Sequence, residues 1–362
     1  MCLGLALAAA ADTSPASGST SIAVEALSRL KGMDIENNPA LKSAVLKVLD
    51  QVRGKPQFVE IVRDFQIKGQ GRELMELSIK SPDDSAGVEA MRLVLLENDP
   101  ECLKSGLAST NAPNLVKVLG NTGDKEIVPL LLPIVVDPAR EAALRKSAVR
   151  GLARVENGAA ALLDLAQEQK LPDDLKLIAS SELNNVRWVP IKARAAEVLP
   201  LPQVKNAEPL PPISELVKLK GDPARGAEIF RREAVGCNKC HQVNGEGTDF
   251  GPNLSEIAGK LGKDALYESI LDPSAGISFG YEAWQLELKN GSEAFGLIVS
   301  ETAEELVMKT VGGIVTRYRK ADIISRQKQK LSIMPAGLQQ TMTKDEIVDL
   351  VEYLVTLKAT KR

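Results

Sequence analysis

Residues 237 to 241 read Cys-Asn-Lys-Cys-His, which takes in two of the chain's four cysteines and its only histidine. Each of two thiols three positions apart can add to one vinyl group of a porphyrin, while the imidazole directly behind them reaches the iron. The spacing is therefore that of covalent haem attachment. Chance is a poor rival, because four Cys and one His scattered over this length give such a pentapeptide with an expectation on the order of 10⁻⁴. Two other chemistries use paired thiols. A structural zinc site needs four ligands, and Cys2 and Cys102 lie singly, each more than a hundred residues away in sequence. A dithiol redox pair would sit at the strand-to-helix junction of a βαβ unit, whereas the segment before Cys237 reads as a helix. One histidine also excludes a three-histidine metal site, and any catalytic triad would have to use that same residue.

The elements that must hold this motif can be read on both sides of it. Asp222-Pro223 opens a helix with an N-cap candidate and a proline at the first helical position, and Gly226 follows inside that helix. A helical Gly costs about 1 kcal/mol relative to Ala, which points to close packing against another backbone. Near the chain end, Thr343-Lys344-Asp345-Glu346 predicts a capping box, Met342 and Ile347 a hydrophobic staple, and Ile347, Leu350, Val351 and Leu354 one apolar face. This pairing resembles class I c-type cytochromes, whose first and last helices cross at a Gly and an aromatic; Gly226, Phe230 and Tyr353 match. Gly251-Pro252-Asn253-Leu254 is similar to a segment of that family in which the Pro carbonyl accepts a hydrogen bond from the ligating imidazole, and this implies Pro252 beside His241. With no second histidine, the sixth iron ligand must be of another type. Met334, in Ser332-Ile333-Met334-Pro335, stands where the family's distal methionine commonly stands. Met1, Met33, Met75 and Met91 lie in or before the helical half, Met308 falls in a strand-like run and Met342 belongs to the staple. The alternative is a core-filling Met334 and a five-coordinate iron.

Between Leu254 and Met334 the chain is longer than a minimal cytochrome needs. Lys263 to Leu271 reads as a helix stopped by Asp272-Pro273, after which the period changes. Alternating runs over 281–289, 292–300, 305–310 and 314–318, with turns at Asn290-Gly291 and Gly312-Gly313, predict a small antiparallel β-meander insert at about 281–325. With Leu271-Asp272-Pro273-Ser274 before it and Ile333-Met334-Pro335 after it, the insert resembles the haem-binding domain common in planctomycetes and verrucomicrobia. The resemblance covers about residues 215 to 358 and implies one haem c. Arg317, Arg319 and Arg326 cluster near the insert's end. Arg326 is the candidate for a haem propionate, against the alternative of a solvated charged edge strand.

Of the two Trp, four Tyr and six Phe, only Phe58, Phe65 and Trp188 precede residue 200. The Pro-rich stretch 200–213 reads as a linker, with a cytochrome c haem-binding domain over 214–362. Residues 21–199 alternate apolar-periodic segments with Pro, Gly, Asn and Asp breakers, as in 126–136, the break at Asp137-Pro138, and 139–155. The pattern predicts paired helices in an α-solenoid and resembles HEAT repeats, the alternative being an irregular helical bundle. The fold class is thus mainly α. Residues 1–20 hold a short apolar run and a small-residue stretch that could belong to a secretory signal. They lack the leading Lys or Arg of such signals, and a truncated start is the alternative.

The chain has 362 residues, 45 Lys and Arg against 48 Asp and Glu, and a net charge of −3, so it presents no basic field for nucleic acid. No run approaches the length of a membrane span. The expected function is one-electron transfer through a haem held by Cys237, Cys240, His241 and Met334, accepting electrons from a sugar or alcohol dehydrogenase, with the solenoid as a protein-binding surface. A redox- or gas-sensing interaction protein and the C-terminal part of a larger quinoprotein-like dehydrogenase are the alternatives. No nucleophile–base pair or phosphate-binding glycine loop argues for stand-alone catalysis. The resemblance implies a periplasmic or secreted location, because bacteria attach haem covalently outside the cytoplasmic membrane.

Overall fold

The computed structural model describes residues 15–97, 100–201, 209–233 and 235–359. The first fourteen residues of the expected signal and positions 202–208 of the expected linker lie outside them. Among the described residues twelve helices precede residue 200: α1 (Pro15–Ser28), α2 (Pro39–Gln51), α3 (Pro56–Asp64), α4 (Gly71–Lys80), α5 (Ser85–Glu97), α6 (Pro100–Leu107), α7 (Ala112–Thr122), α8 (Val128–Val136), α9 (Ala142–Leu152), α10 (Glu156–Gln167), α11 (Asp173–Leu183) and α12 (Val189–Val198). Several carry a proline at the first or second position, whose missing N–H would have had no intrahelical partner.

Helices α5, α7, α9 and α11 pack one against the next, and one apolar core runs from Leu27 to Leu199. The periodicity that produces this is plain in α9, which buries Leu144, Ala148 and Leu152 at four-residue spacing. Helices α7 and α9 touch backbone to backbone at Gly120 and Gly151. A Cβ on Gly120 would lie 2.7 Å from the Gly151 Cα, and one on Gly151 would lie 2.9 Å from the Gly120 Cα.

The remaining helices are α13 (Ile213–Leu216), α14 (Pro223–Arg231), α15 (Lys263–Leu271) and α16 (Lys344–Thr356). The Asp222 side chain caps α14 by accepting from the Ala224 and Arg225 N–H groups. At the head of α16 the Thr343 hydroxyl accepts from the Glu346 N–H while the Glu346 carboxylate accepts from the Thr343 N–H. The two helices cross at Gly226, where a Cβ would fall 2.0 Å from the Asp349 carbonyl oxygen and 2.7 Å from the Tyr353 Cβ. The Phe230 and Tyr353 rings meet there at 5.7 Å between centroids. Asp349 is buried at the crossing, and its carboxylate accepts from the Asp222 N–H at 2.6 Å and pairs with Arg225 at 3.1 Å.

The insert is a five-stranded antiparallel sheet of β1 (Ala283–Leu288), β2 (Glu293–Glu301), β3 (Glu305–Thr310), β4 (Ile314–Arg319) and β5 (Ile323–Lys328), in the order β4-β3-β2-β1-β5. It departs from a simple meander at β5. After a 3₁₀ turn over Lys320–Asp322, the chain returns across the sheet to pair with β1. Strand β5 is polar and almost wholly exposed, so it lacks the apolar alternation that marks β1 to β4. The opposite edge is covered. Ile314 of β4 is buried in the core of the N-terminal helices, the Val315 N–H donates to Ser85 Oγ at 2.9 Å, and Arg92 Nη1 donates to Thr316 Oγ1 at 2.5 Å.

Candidate functional site

Helix α14 ends at Arg231, and Gly236, in the left-handed region at φ 71°, turns the chain into a 3₁₀ turn over Cys237–Lys239. The His241 N–H donates to the Cys237 carbonyl at 2.9 Å, closing the motif on itself. Residues 247–254 wrap around it. The Thr248 N–H donates to the Asn238 carbonyl at 3.0 Å, the Gly251 N–H to the Cys240 carbonyl at 2.7 Å, and the Leu254 N–H to the Gln242 carbonyl at 2.9 Å.

This loop fixes the imidazole. His241 Nδ1 lies 2.8 Å from the Pro252 carbonyl oxygen, which only accepts, so Nδ1 carries the proton and Nε2 keeps its lone pair. Burial pushes the His241 pKa down, against a smaller opposing effect of the Pro252 bond, so the ring is neutral at neutral pH. Gly251 lies against the ring face, where a Cβ would come within 2.7 Å of His241 Cε1.

The imidazole opens on an apolar cleft. Phe230, Val235 and Cys237 line it beside His241, Leu254 and Ile270 close another side, Met334, Leu338 and Met342 stand with them, and Leu350 and Leu354 of α16 complete the wall. The structure thus brings Cys237, His241 and Met334 to one cleft, with Cys240 adjoining in the motif and Pro252 behind the imidazole. The Met334 loop is anchored by the Met334 N–H donating to Ser332 Oγ and the Ser332 N–H donating to Ser274 Oγ, both at 3.1 Å. Arg326 is not among the residues lining the cleft. Its guanidinium pairs with Glu301 at 2.9 Å and stacks 5.4 Å from the Trp284 ring centroid, on the exposed strand β5. Arg317 and Arg319 are likewise held by Glu60 and Asp322.

The chemistry of the donors fits a haem. Burial raises the Cys237 thiol to about 12 and also raises Cys240, so both are protonated at neutral pH. No disulfide joins them. Among the described residues no three His, Cys, Asp or Glu side chains converge as a metal site would require. The motif sits on a 3₁₀ turn after a helix, away from any βαβ unit, which leaves the dithiol redox alternative without its setting. The cleft offers one neutral imidazole and one thioether sulfur with two thiols close by, donors that would suit a covalently held haem.

Nothing in the local sequence signals that the N-terminal helices reach the motif. Arg150 of α9 pairs with Glu233, and Glu182 of α11 lies between Arg150, at 3.9 Å, and Lys239 of the motif, at 4.0 Å. Such contacts join residues far apart in sequence and have no local signature. The cleft residues Ile270, Leu338, Leu350 and Leu354 read as ordinary core in sequence, and only the fold turns them to one side.

Residues 223–293 match the family model of cytochrome c. The match begins at the first residue of α14, includes Cys237, Cys240, His241 and Pro252, and ends at the first residue of β2, so it does not extend to Met334 or α16. A comparison with curated proteins finds no match. The chain therefore carries a cytochrome c-like haem-binding domain, which supports haem-based electron transfer.

Proposed function

We propose that this protein is a mono-haem c-type cytochrome that passes single electrons between protein partners, with Cys237 and Cys240 as thioether anchors and His241 and Met334 as axial ligands. The observation that carries the proposal is the pairing of His241 and Met334 on one apolar cleft beside the attachment motif, the His241 Nδ1–H being committed to Pro252. A bound haem supplies a one-electron Fe(III)/Fe(II) couple. The residues of the chain do the rest: Pro252 and Gly251 orient the imidazole, the apolar wall excludes water, and Met334 offers a neutral soft ligand. Thioether ligation raises the potential relative to bis-histidine ligation, which suits accepting electrons from the oxidation of an organic substrate. A sugar or alcohol dehydrogenase in the periplasm is the proposed donor, because covalent haem attachment in bacteria takes place outside the cytoplasmic membrane. No helix among the described residues is long and apolar enough to cross a membrane.

The five-stranded insert between α15 and Met334 supports assignment to the planctomycete and verrucomicrobial type of haem-binding domain. The successive packing of α5, α7, α9 and α11 supports reading the N-terminal helices as a HEAT-like solenoid that presents a protein-binding surface. The test is a reduced-minus-oxidised spectrum of protein made alongside a haem-attachment system. A c-type α-band that survives denaturation and acid-acetone extraction is expected, and a colourless protein would overturn the proposal.

A further inference from the structure

Three links cross the base of the five-stranded insert. Glu282 pairs with Lys328 at 3.1 Å, the Gln329 N–H donates to the Ala283 carbonyl at 2.8 Å, and the Ser332 N–H donates to Ser274 Oγ at 3.1 Å. The third joins residues 58 apart in sequence. Its acceptor side is firmly placed. Helix α15 buries Leu266, Tyr267 and Ile270, the last of them in the wall of the cleft, and closes with the Asp272 N–H on the Glu268 carbonyl at 2.8 Å. Pro273 is buried, and the Asp272 carboxylate accepts from the Ser274 N–H at 3.3 Å. On the donor side, Ser332 Oγ in turn accepts from the Met334 N–H at 3.1 Å. Met334, which lines the cleft with His241, is therefore tied to the end of α15 through two serine hydroxyls in series. The Asp272-Pro273-Ser274 and Ser332-Ile333-Met334 segments, which stand on either side of the insert in sequence, form one device.

Resting on the haem reading above, we propose that Ser274 and Ser332 are positioning residues that keep Met334 in place as an axial ligand against displacement by an exogenous ligand. A chain spans at most about 3.4 Å per residue. A last fixed point at Gln329, five residues before Met334, leaves it a reach of about 17 Å, whereas one at Ser332, two residues before it, leaves about 7 Å. The methionine side chain is flexible, so a competing ligand gains whatever entropy the loop recovers on release. Pinning the loop beforehand removes most of that gain. The closure of the insert thereby governs access to the sixth coordination position, a role for the insert that lies in the site itself.

The experiment is a cyanide titration of the full-length ferric haem-loaded protein, read by loss of the sulfur-to-iron band. The lone pair of cyanide replaces that of the thioether, with no change of oxidation state. Ser274→Ala and Ser332→Ala are each expected to bind cyanide about fivefold more tightly than the wild type, the factor set by one net hydrogen bond. Ser274→Thr, which keeps the hydroxyl, is expected to stay near the wild type. Ser269→Ala, at an exposed position on α15 whose hydroxyl bonds only within the helix, is the control and is expected to change nothing. Hydrogen exchange at the Met334 amide is expected to quicken in Ser274→Ala, a readout that needs no ligand at the iron. If Ser332→Ala folds poorly, Ser274→Ala and its Thr counterpart carry the test. Coloured, folded Ala variants with the wild-type cyanide affinity, or a Thr variant as loose as the Ala one, would overturn the proposal and leave the haem reading standing. A wild-type protein without the sulfur-to-iron band would overturn Met334 as ligand, and one without an α-band would overturn the haem reading itself.

Discussion

Replacing Gly251 by Ala probes the contact on which the axial imidazole depends. Gly251 does not occupy the left-handed region, so its backbone accepts alanine, and restricting the unfolded chain would by itself stabilise by about 0.5 kcal/mol. The cost comes wholly from the new methyl group, 2.7 Å from His241 Cε1 and 3.0 Å from Nδ1. Carbon atoms rest at about 3.5–4.0 Å, so the ring must retreat by roughly 1 Å. Its Nδ1–H lies only 2.8 Å from the Pro252 oxygen, and that displacement breaks the bond. Losing it costs about 1 kcal/mol and overpacking a further 1–3 kcal/mol, for a net loss of about 1.5–3.5 kcal/mol after the entropic gain. With a urea slope of about 2 kcal/mol/M, the unfolding midpoint of the haem-binding unit falls by roughly 1 M. The haem-loaded variant should also show an altered α-band and midpoint potential, since the ligating ring has moved. Gly259→Ala is the matched control, because a Cβ there has nothing within 4 Å. A Gly251→Ala protein with the spectrum and urea midpoint of Gly259→Ala would refute the argument that Gly251 holds the imidazole on Pro252.

Met334→Ala is expected to abolish the weak sulfur-to-iron band at the red end of the ferric spectrum and to open the iron to carbon monoxide when reduced, with the covalent α-band retained; a persisting red band would show that another residue is the ligand. Gly226→Ala drives a methyl group into the Asp349 carbonyl and the Tyr353 Cβ, so the gain of about 1 kcal/mol in helix propensity is outweighed by overpacking, and calorimetry should show a net loss of about 1–3 kcal/mol. Glu346 is held below the usual carboxylate range, chiefly by hydrogen bonds from Arg232 and then by the Thr343 N–H. The stability it adds is therefore present above the unfolded value of 4.5 and is lost as pH falls through its lower folded value. Glu346→Gln should flatten the stability profile in that acid window, and urea midpoints that fall with acid as steeply as in the wild type would count against the assignment.

What could be read from the sequence and what could not divide along a physical line. The caps at Asp222 and Thr343, the stop at Asp272-Pro273 and the close approach at Gly226 are local or depend on one residue type, and each stands in the fold where its chemistry demands. The hairpin at Asn290-Gly291 is of the same kind. Strand β5 is not legible in the sequence, because its place is set by pairing with β1 rather than by its own side chains. The placing of Arg326 rested on charge type alone. The structure gives it a closer carboxylate, Glu301, and an aromatic face, Trp284, and these hold it on the outer strand.

The two units are joined by contacts of unequal weight, and the inequality says where their mutual orientation comes from. The ion pairs that cross between them, among them Lys31–Glu305, Arg187–Glu293, Arg317–Glu60, Arg150–Glu233 and Glu182–Lys239, are partly exposed and contribute at most about 1 kcal/mol each. Ile314 is different. It is a β-strand residue whose side chain is 2% exposed inside the core of the helices, a burial that stabilises by about 1.5–3 kcal/mol. The Ser85 and Arg92 hydrogen bonds to the next two residues, Val315 and Thr316, fix the angle of the strand. The following chain cannot swing freely from that point, because the adjacent turn, Gly312-Gly313, also packs on Arg154 and on the Thr248–Asp249 loop that wraps the attachment motif. A single β-hairpin therefore keys the helical unit, the insert and the haem-attachment loop together. The cleft is thereby held at a set orientation to the helices, which gives the insert a structural purpose that a minimal cytochrome would not require.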